Sequence, residues 1–179
     1  MHILMCNDDG ILADGLRHLA SYLSQYYRIT VVAPANEQSA KSHALTTEVP
    51  LKLDACNGED ENPRLYALTG TPSDCMKFGL SYLLTDDMPD LVISGINHGF
   101  NLGSDVLYSG TVSAAMESGF YGIPGLALSV ERYSVERGDE MHPFIHELIE
   151  KIYVAGQFSG LLNVNFPLRG TCDWIILKW

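Results

Sequence analysis

Two adjacent carboxylates, Asp8 and Asp9, stand in the tetrapeptide NDDG directly after a short apolar run. Two unit negative charges about 4 Å apart repel by about 4 kcal/mol at an effective dielectric of 20, so something must offset them. A hard divalent cation does so most directly. Mg or Mn sites recruit one or two carboxylates together with amide or hydroxyl oxygens and water. The plainer alternative is a pair of solvated turn residues or helix caps ahead of Asp14.

Asn97 and Asn101 share a loop with Gly95, Gly99 and Gly103. Glycine lets a backbone approach a ligand closely, and asparagine offers both a carbonyl ligand and amide donors. The same asparagines could instead fill left-handed turn positions. Ser109, Gly110 and Thr111 precede a small-residue helix, where amides and hydroxyls at the positive end of a helix dipole form a seat for phosphate, or an ordinary cap. Ser39, near Lys41 and His43, offers a hydroxyl and a cation to the same crevice, although in isolation that stretch reads as a solvated loop. No histidine pair has zinc spacing, and His142 with His146 reads as decoration of a helix surface.

The elements that must position these groups alternate. Residues 2–6 (HILMC) read as a buried strand stopping at a polar loop, followed by a helix from Asp14 with Leu16, Leu19, Ala20 and Leu23 on one face. A strand at 29–33 closes at Pro34, and residues 44–70 read as a loop followed by a hairpin built from VPLKL and RLYAL. TPSD at 71–74 is a helix start, with Thr71 as cap and Pro72 in the first helical position. A strand at 91–95, a long loop, a helix from about Thr111 to Phe120, a strand at 125–130, a helix near 142–154 and a strand at 161–165 complete the pattern. The expected fold is α/β, Rossmann-like, with an open and mostly parallel sheet covered by helices on both faces. Ligands in such sheets bind beyond the carboxyl ends of the strands, where all three loops above lie.

Composition narrows the partners. The chain has 179 residues, enough for one domain with a real core, and 46% of them are hydrophobic. A net charge of -11 disfavours nucleic acid and anionic membrane as partners, yet a small anionic substrate remains compatible with one cation and a ring of backbone amides. Cys6, Cys56, Cys75 and Cys172 show no CxxC spacing and the amino terminus runs straight into a strand, so reduced thiols and a cytoplasmic location are expected. No apolar run reaches the roughly 18 residues of a membrane span.

Taken together, NDDG, the Ser39 loop, GTPSDC, DLVISGINHGFNLG and YSGTVSAA resemble, in order and over roughly residues 1–166, the SurE family of survival proteins, metal-dependent 5'- and 3'-nucleotidases. The resemblance implies that Asp8, Asp9, Ser39 and Asn97 ligate one divalent metal, Mg or Mn, with Asp8 and Asp9 catalytic. It also implies that Asn101, Ser109, Gly110 and Thr111 surround the phosphate of a nucleoside monophosphate, and that the assembly is a homodimer or homotetramer. Two departures stand out. Ser39-Ala40 replaces the usual Ser-Gly, and after NVNFP the chain runs into LRGTCDWIILKW, so a single domain with a carboxyl-terminal arm shortened or altered after about 167 is expected.

Rival readings make different demands. An aspartyl-phosphate route would use Asp8 or Asp9 as nucleophile. A receiver-like regulatory domain would bind Mg and phosphate without turnover. A dinucleotide-binding module is disfavoured, because NDDG stands where GxGxxG should be. His43 and His98 are weak candidates for a general acid.

Overall fold

Strand β1 (His2–Cys6) is buried along its whole length. Its side chains alternate between two apolar layers, as a strand's period of two requires. Ile3 and Met5 face one, and Leu4 and Cys6 face the other. In this computed structural model, residues 1–39, 41–155, 158–167 and 175–178 are described. Ala40, Cys172 and most of the divergent carboxyl-terminal stretch therefore lie outside the described residues.

Around β1 are β2 (Arg28–Pro34), β3 (Leu53–Ala55), β4 (Arg64–Leu68), β5 (Leu91–His98), β6 (Gly125–Val130), β7 (Leu161–Phe166) and β8 (Ile175–Lys178). They form one sheet in the order β3-β4-β2-β1-β5-β6-β7-β8. Pairing is parallel except at the two edges, β3 with β4 and β7 with β8. This is the expected α/β architecture.

Helices α1 (Asp14–Leu23) and α4 (Val135–Ile149) cover one face. There Leu16, Leu19 and Leu23 meet Ile3, Ile29 and Ile93, while Met141 and Ile145 share the layer with Leu128 and Phe166. Helices α2 (Pro72–Phe78) and α3 (Gly110–Glu117) belong to the other face. Met76 and Leu80 share that layer with Leu4, Val32 and Leu68. Each fully buried leucine removes enough apolar surface from water to contribute about 2 kcal/mol.

Three sequence expectations need correcting. The helix expected near 142–154 begins at Val135, because Ser134 accepts a bond from Arg137 N–H (3.2 Å) and so caps a polar first turn that hydrophobic spacing does not mark. His142 is not on the helix surface but 3% exposed, packed against the ring of Tyr22 at 5.2 Å. Strand β5 continues past Gly95 to His98, with a register shift against β6 between Ser94 and Asn97, so Asn97 sits on the strand rather than in a loop. The hairpin at 44–70 is present, though only Leu53 of VPLKL enters it.

Candidate active site

The turn after β1 is built by Asn7 and Gly10. Asn7 is buried, its Oδ1 accepts from Gly10 N–H (3.1 Å) and its Nδ2 donates to Gly10 O (3.2 Å). Gly10 has φ of +99°, which an L side chain rarely adopts. Ile11 N–H then donates to Pro34 O (2.8 Å), tying the turn to the end of β2. Asp8 and Asp9 are held at the tip of this closed structure.

Two further loops reach the same tip. Gln38 N–H donates to Asp8 O (2.7 Å), bringing in the loop after β2. Thr111 Oγ1 donates to Asp8 Oδ1 (2.5 Å), bringing in the start of α3. Gly110 permits that approach, since a Cβ there would fall 2.9 Å from Asp8 Cβ and 3.0 Å from Oδ2. Asp9 meets the end of β5, where the His98 main chain hydrogen-bonds its carboxylate.

Both carboxyls are pushed up in pKa. Burial raises Asp8, opposed by the Thr111 bonds and reinforced by Glu37. Burial raises Asp9 to about 6, with the charges of Asp8 and Glu37 adding to it. Among the described residues neither Asp8 nor Asp9 forms an ion pair with a lysine or arginine. The described lysines and arginines therefore leave this concentration of charge unpaired.

The remaining predicted residues divide into two groups. Asn97 donates its Nδ2 to Gly99 O (2.7 Å), which leaves Oδ1 as the atom available to a ligand. Ser39 is exposed and donates to Glu37 Oε1 (2.6 Å), one residue from Gln38. Asn101 and Ser109 are tied inward. Asn101 donates to Ser129 Oγ (2.8 Å) and its carbonyl accepts from Asn163 Nδ2 (2.8 Å), while Ser109 accepts from Val112 N–H (3.1 Å) as the cap of α3. His43 pairs with the buried Glu117 at the far end of α3.

Sequence reasoning missed Asn7, Glu37 and the Asn163–Asn165 pair. Asn165 Oδ1 accepts from Asn101 N–H (2.8 Å), so the pair pins the long loop from below. Two asparagines at alternate positions of an otherwise apolar strand were the available signal. For Glu37 there was none beyond its place in the loop.

Among the described residues no group of three or more His, Cys, Asp or Glu side chains could hold a metal by itself. Two carboxylates supplemented by neutral oxygens from Ser39 and Asn97 would make an all-oxygen donor set, the kind that suits a hard cation such as Mg or Mn rather than zinc.

Residues 3–177 match the sequence model of the family described as Survival protein SurE. The chain belongs to the SurE family. It is 49% identical over 168 residues to the 5'-nucleotidase SurE of a Thermoanaerobacter species, covering 93% of this chain and 66% of that protein. To the 5'-nucleotidase SurE of a Synechococcus species it is 47% identical over 177 residues, with 97% and 68% covered. The chain thus spans about two thirds of the length of these SurE relatives. The crystal structure of the SurE protein from Aquifex aeolicus superposes with a TM-score of 0.80 at 31% identity, covering 99% of this chain and 82% of that one.

Proposed function

We propose that the chain is a metal-dependent phosphomonoesterase that hydrolyses nucleoside 5'- and 3'-monophosphates to nucleoside and phosphate. The observation that carries this reading is the Asp8-Asp9 pair, Asp8 buried and Asp9 half-buried, raised in pKa, without a lysine or arginine partner among the described residues, and placed where the turn after β1, the loop after β2, the end of β5 and the start of α3 meet. The names of the SurE relatives supply the substrate class.

Asp8, Asp9, Ser39 and Asn97 would hold one divalent ion. When bound, the ion supplies Lewis-acid polarisation of a phosphoryl oxygen and eases deprotonation of water. Thr111 fixes the rotamer of Asp8 through its hydroxyl, and Gly110 keeps the space between them open. The amino-terminal end of α3 adds a positive dipole toward a phosphate, and a fixed donor of this kind is worth roughly 3 kcal/mol in a transition state. His98, beside Asp9, is the better placed of the two histidines for proton transfer, because His43 is engaged by Glu117.

No helix among the described residues is long and apolar enough to cross a membrane. We place the enzyme in the cytoplasm as a homodimer or homotetramer, acting on a small nucleotide rather than on nucleic acid. A phosphate-release panel of nucleoside monophosphates with Mg, Mn or EDTA tests the reading. Release with Mg or Mn and none with EDTA is expected, whereas release that persists in EDTA would overturn it.

A further inference from the structure

A cavity of about 290 Å³ opens over the ends of β2 and β4. Asn36 and Gln38 from the loop after β2, Thr69 and Gly70 from beyond β4, and Val49 from ahead of β3 lie in its wall. Because β4, β2 and β1 are consecutive in the sheet, the cavity sits at the same carboxyl-terminal edge as Asp8 and Asp9. Gln38 joins the two, since it lines the cavity while its N–H holds Asp8 O at 2.7 Å.

Much of the polar wall is already satisfied from within. Thr69 Oγ1 accepts from Lys52 N–H (2.8 Å), the Thr71 hydroxyl donates to Ala44 O (2.6 Å), and the Thr46 hydroxyl donates to Asp74 (2.6 Å). The side-chain amides of Asn36 and Gln38 differ: neither has a hydrogen-bond partner among the described residues. Each brings a donor and an acceptor, the combination by which asparagine and glutamine read the edge of a base. Val49 is 63% exposed at the mouth and offers an apolar surface to a flat ring.

We propose that this cavity receives the nucleoside portion of the substrate, with Asn36 and Gln38 as specificity-determining residues that hydrogen-bond its polar edge. The inference rests on the nucleotidase reading above. The volume is near the lower end of small-molecule pockets, roughly 300–1,000 Å³. Contiguity through Gln38 sets the order of the ligand, phosphate at the carboxylates and nucleoside outward over the ends of β2 and β4. The apolar cavity of about 250 Å³ beside α3 is a poorer seat. It is walled by Val106, Leu107 and Met116 and reaches Leu161, the first residue of β7, toward the opposite edge of the sheet.

The test compares kcat/KM for the best nucleoside monophosphate with that for para-nitrophenyl phosphate, which has neither ribose nor base, in the full chain with Mn. In Asn36→Ala and Gln38→Ala the ratio should fall at least tenfold through a raised KM, whereas Met116→Ala should retain it. An unchanged ratio in both amide variants, or a fall in Met116→Ala instead, overturns the subsite while leaving the nucleotidase reading intact. If the wild type cleaves neither ester, that reading fails separately, and titration with the four ribonucleosides then decides. Shifted side-chain amide NMR signals in the wild type that are lost in the variants support the subsite, and unshifted signals overturn it.

Discussion

Asp74, in the first turn of α2, and Asp8, in the turn after β1, are both buried aspartates, 5% and 6% exposed, yet their carboxyls are displaced in opposite directions. Burial raises Asp74, but bonds from Thr46 N–H (3.0 Å), Thr46 Oγ1 (2.6 Å) and Thr71 N–H (2.9 Å) outweigh it and hold its pKa below the ordinary value. Among the described side chains Asp8 has the Thr111 hydroxyl alone as donor and is opposed by the charge of Glu37, so burial prevails and its pKa rises. The same residue type, equally hidden from solvent, is a structural staple at one site and a charge with few donors at the other. The difference lies in the donors the fold supplies and in the deeper enclosure of Asp8 by protein, and a carboxylate enclosed with few donors supports the proposed cation site.

The largest effect that would break this contrast is chemical. Asp8→Asn or Asp9→Asn should lower kcat for phosphate release by at least about 10³-fold while far-UV circular dichroism is unchanged. Full activity in both variants would remove the functional half of the comparison. Asp74→Ala should do the reverse. Losing the capping box of α2 and the anchor for Thr46 costs about 3 kcal/mol, or roughly 6–12 °C in Tm, and activity should fall only as the folded fraction falls. An Asp74→Ala protein with wild-type Tm would show that its bonds do not stabilise the fold.

This asymmetry explains which features were legible in the sequence. The apolar periodicities of β1, α1 and β2 are local, and so is the Thr71–Asp74 capping box, observed with both of its bonds. Asp8 and Asp9 were conspicuous because adjacent like charges are costly anywhere. The Asn7 turn closes across only three residues, whereas the action of the Glu37 charge on the carboxylates and the hold of Asn163 and Asn165 on Asn101 depend on chain separations no periodicity records. His142 was misplaced for a related reason. The helix begins at Val135, so its buried stripe runs through Gly138, Met141, His142 and Ile145.

A smaller effect should appear in stability against pH without added metal. Asp9 is raised from 3.8 to about 6, so its folded-state proton stabilises the protein below about pH 4, and that contribution is lost as pH rises through about 6. Asp74 is lowered, so its contribution is present above pH 3.8 and lost as pH falls below it. Asp9→Asn should therefore flatten the decline in Tm between pH 4 and 7 and raise Tm at pH 7 by about 3 °C, discounted for solvent screening. Mn should reverse the ranking by stabilising only the wild type. Equal Tm curves for the two proteins without metal would refute the upward shift of Asp9.

The smallest expected effect concerns Glu37, which sharpens the contrast without belonging to either aspartate. Its charge raises Asp9, so Glu37→Gln should lower that pKa and move the pH midpoint of Mn binding toward acid. The same substitution removes a negative charge from the neighbourhood of the cation and changes the acceptor of the Ser39 hydroxyl. Mn affinity at pH 8, above the titration of Asp9, should consequently weaken by about threefold, the scale of a partly screened charge. The two consequences oppose each other below pH 6 and separate above it. Calorimetric titration with Mn at pH 5.5 and 8 resolves them, and an affinity unchanged at both values would show that Glu37 does not act on the carboxylate pair.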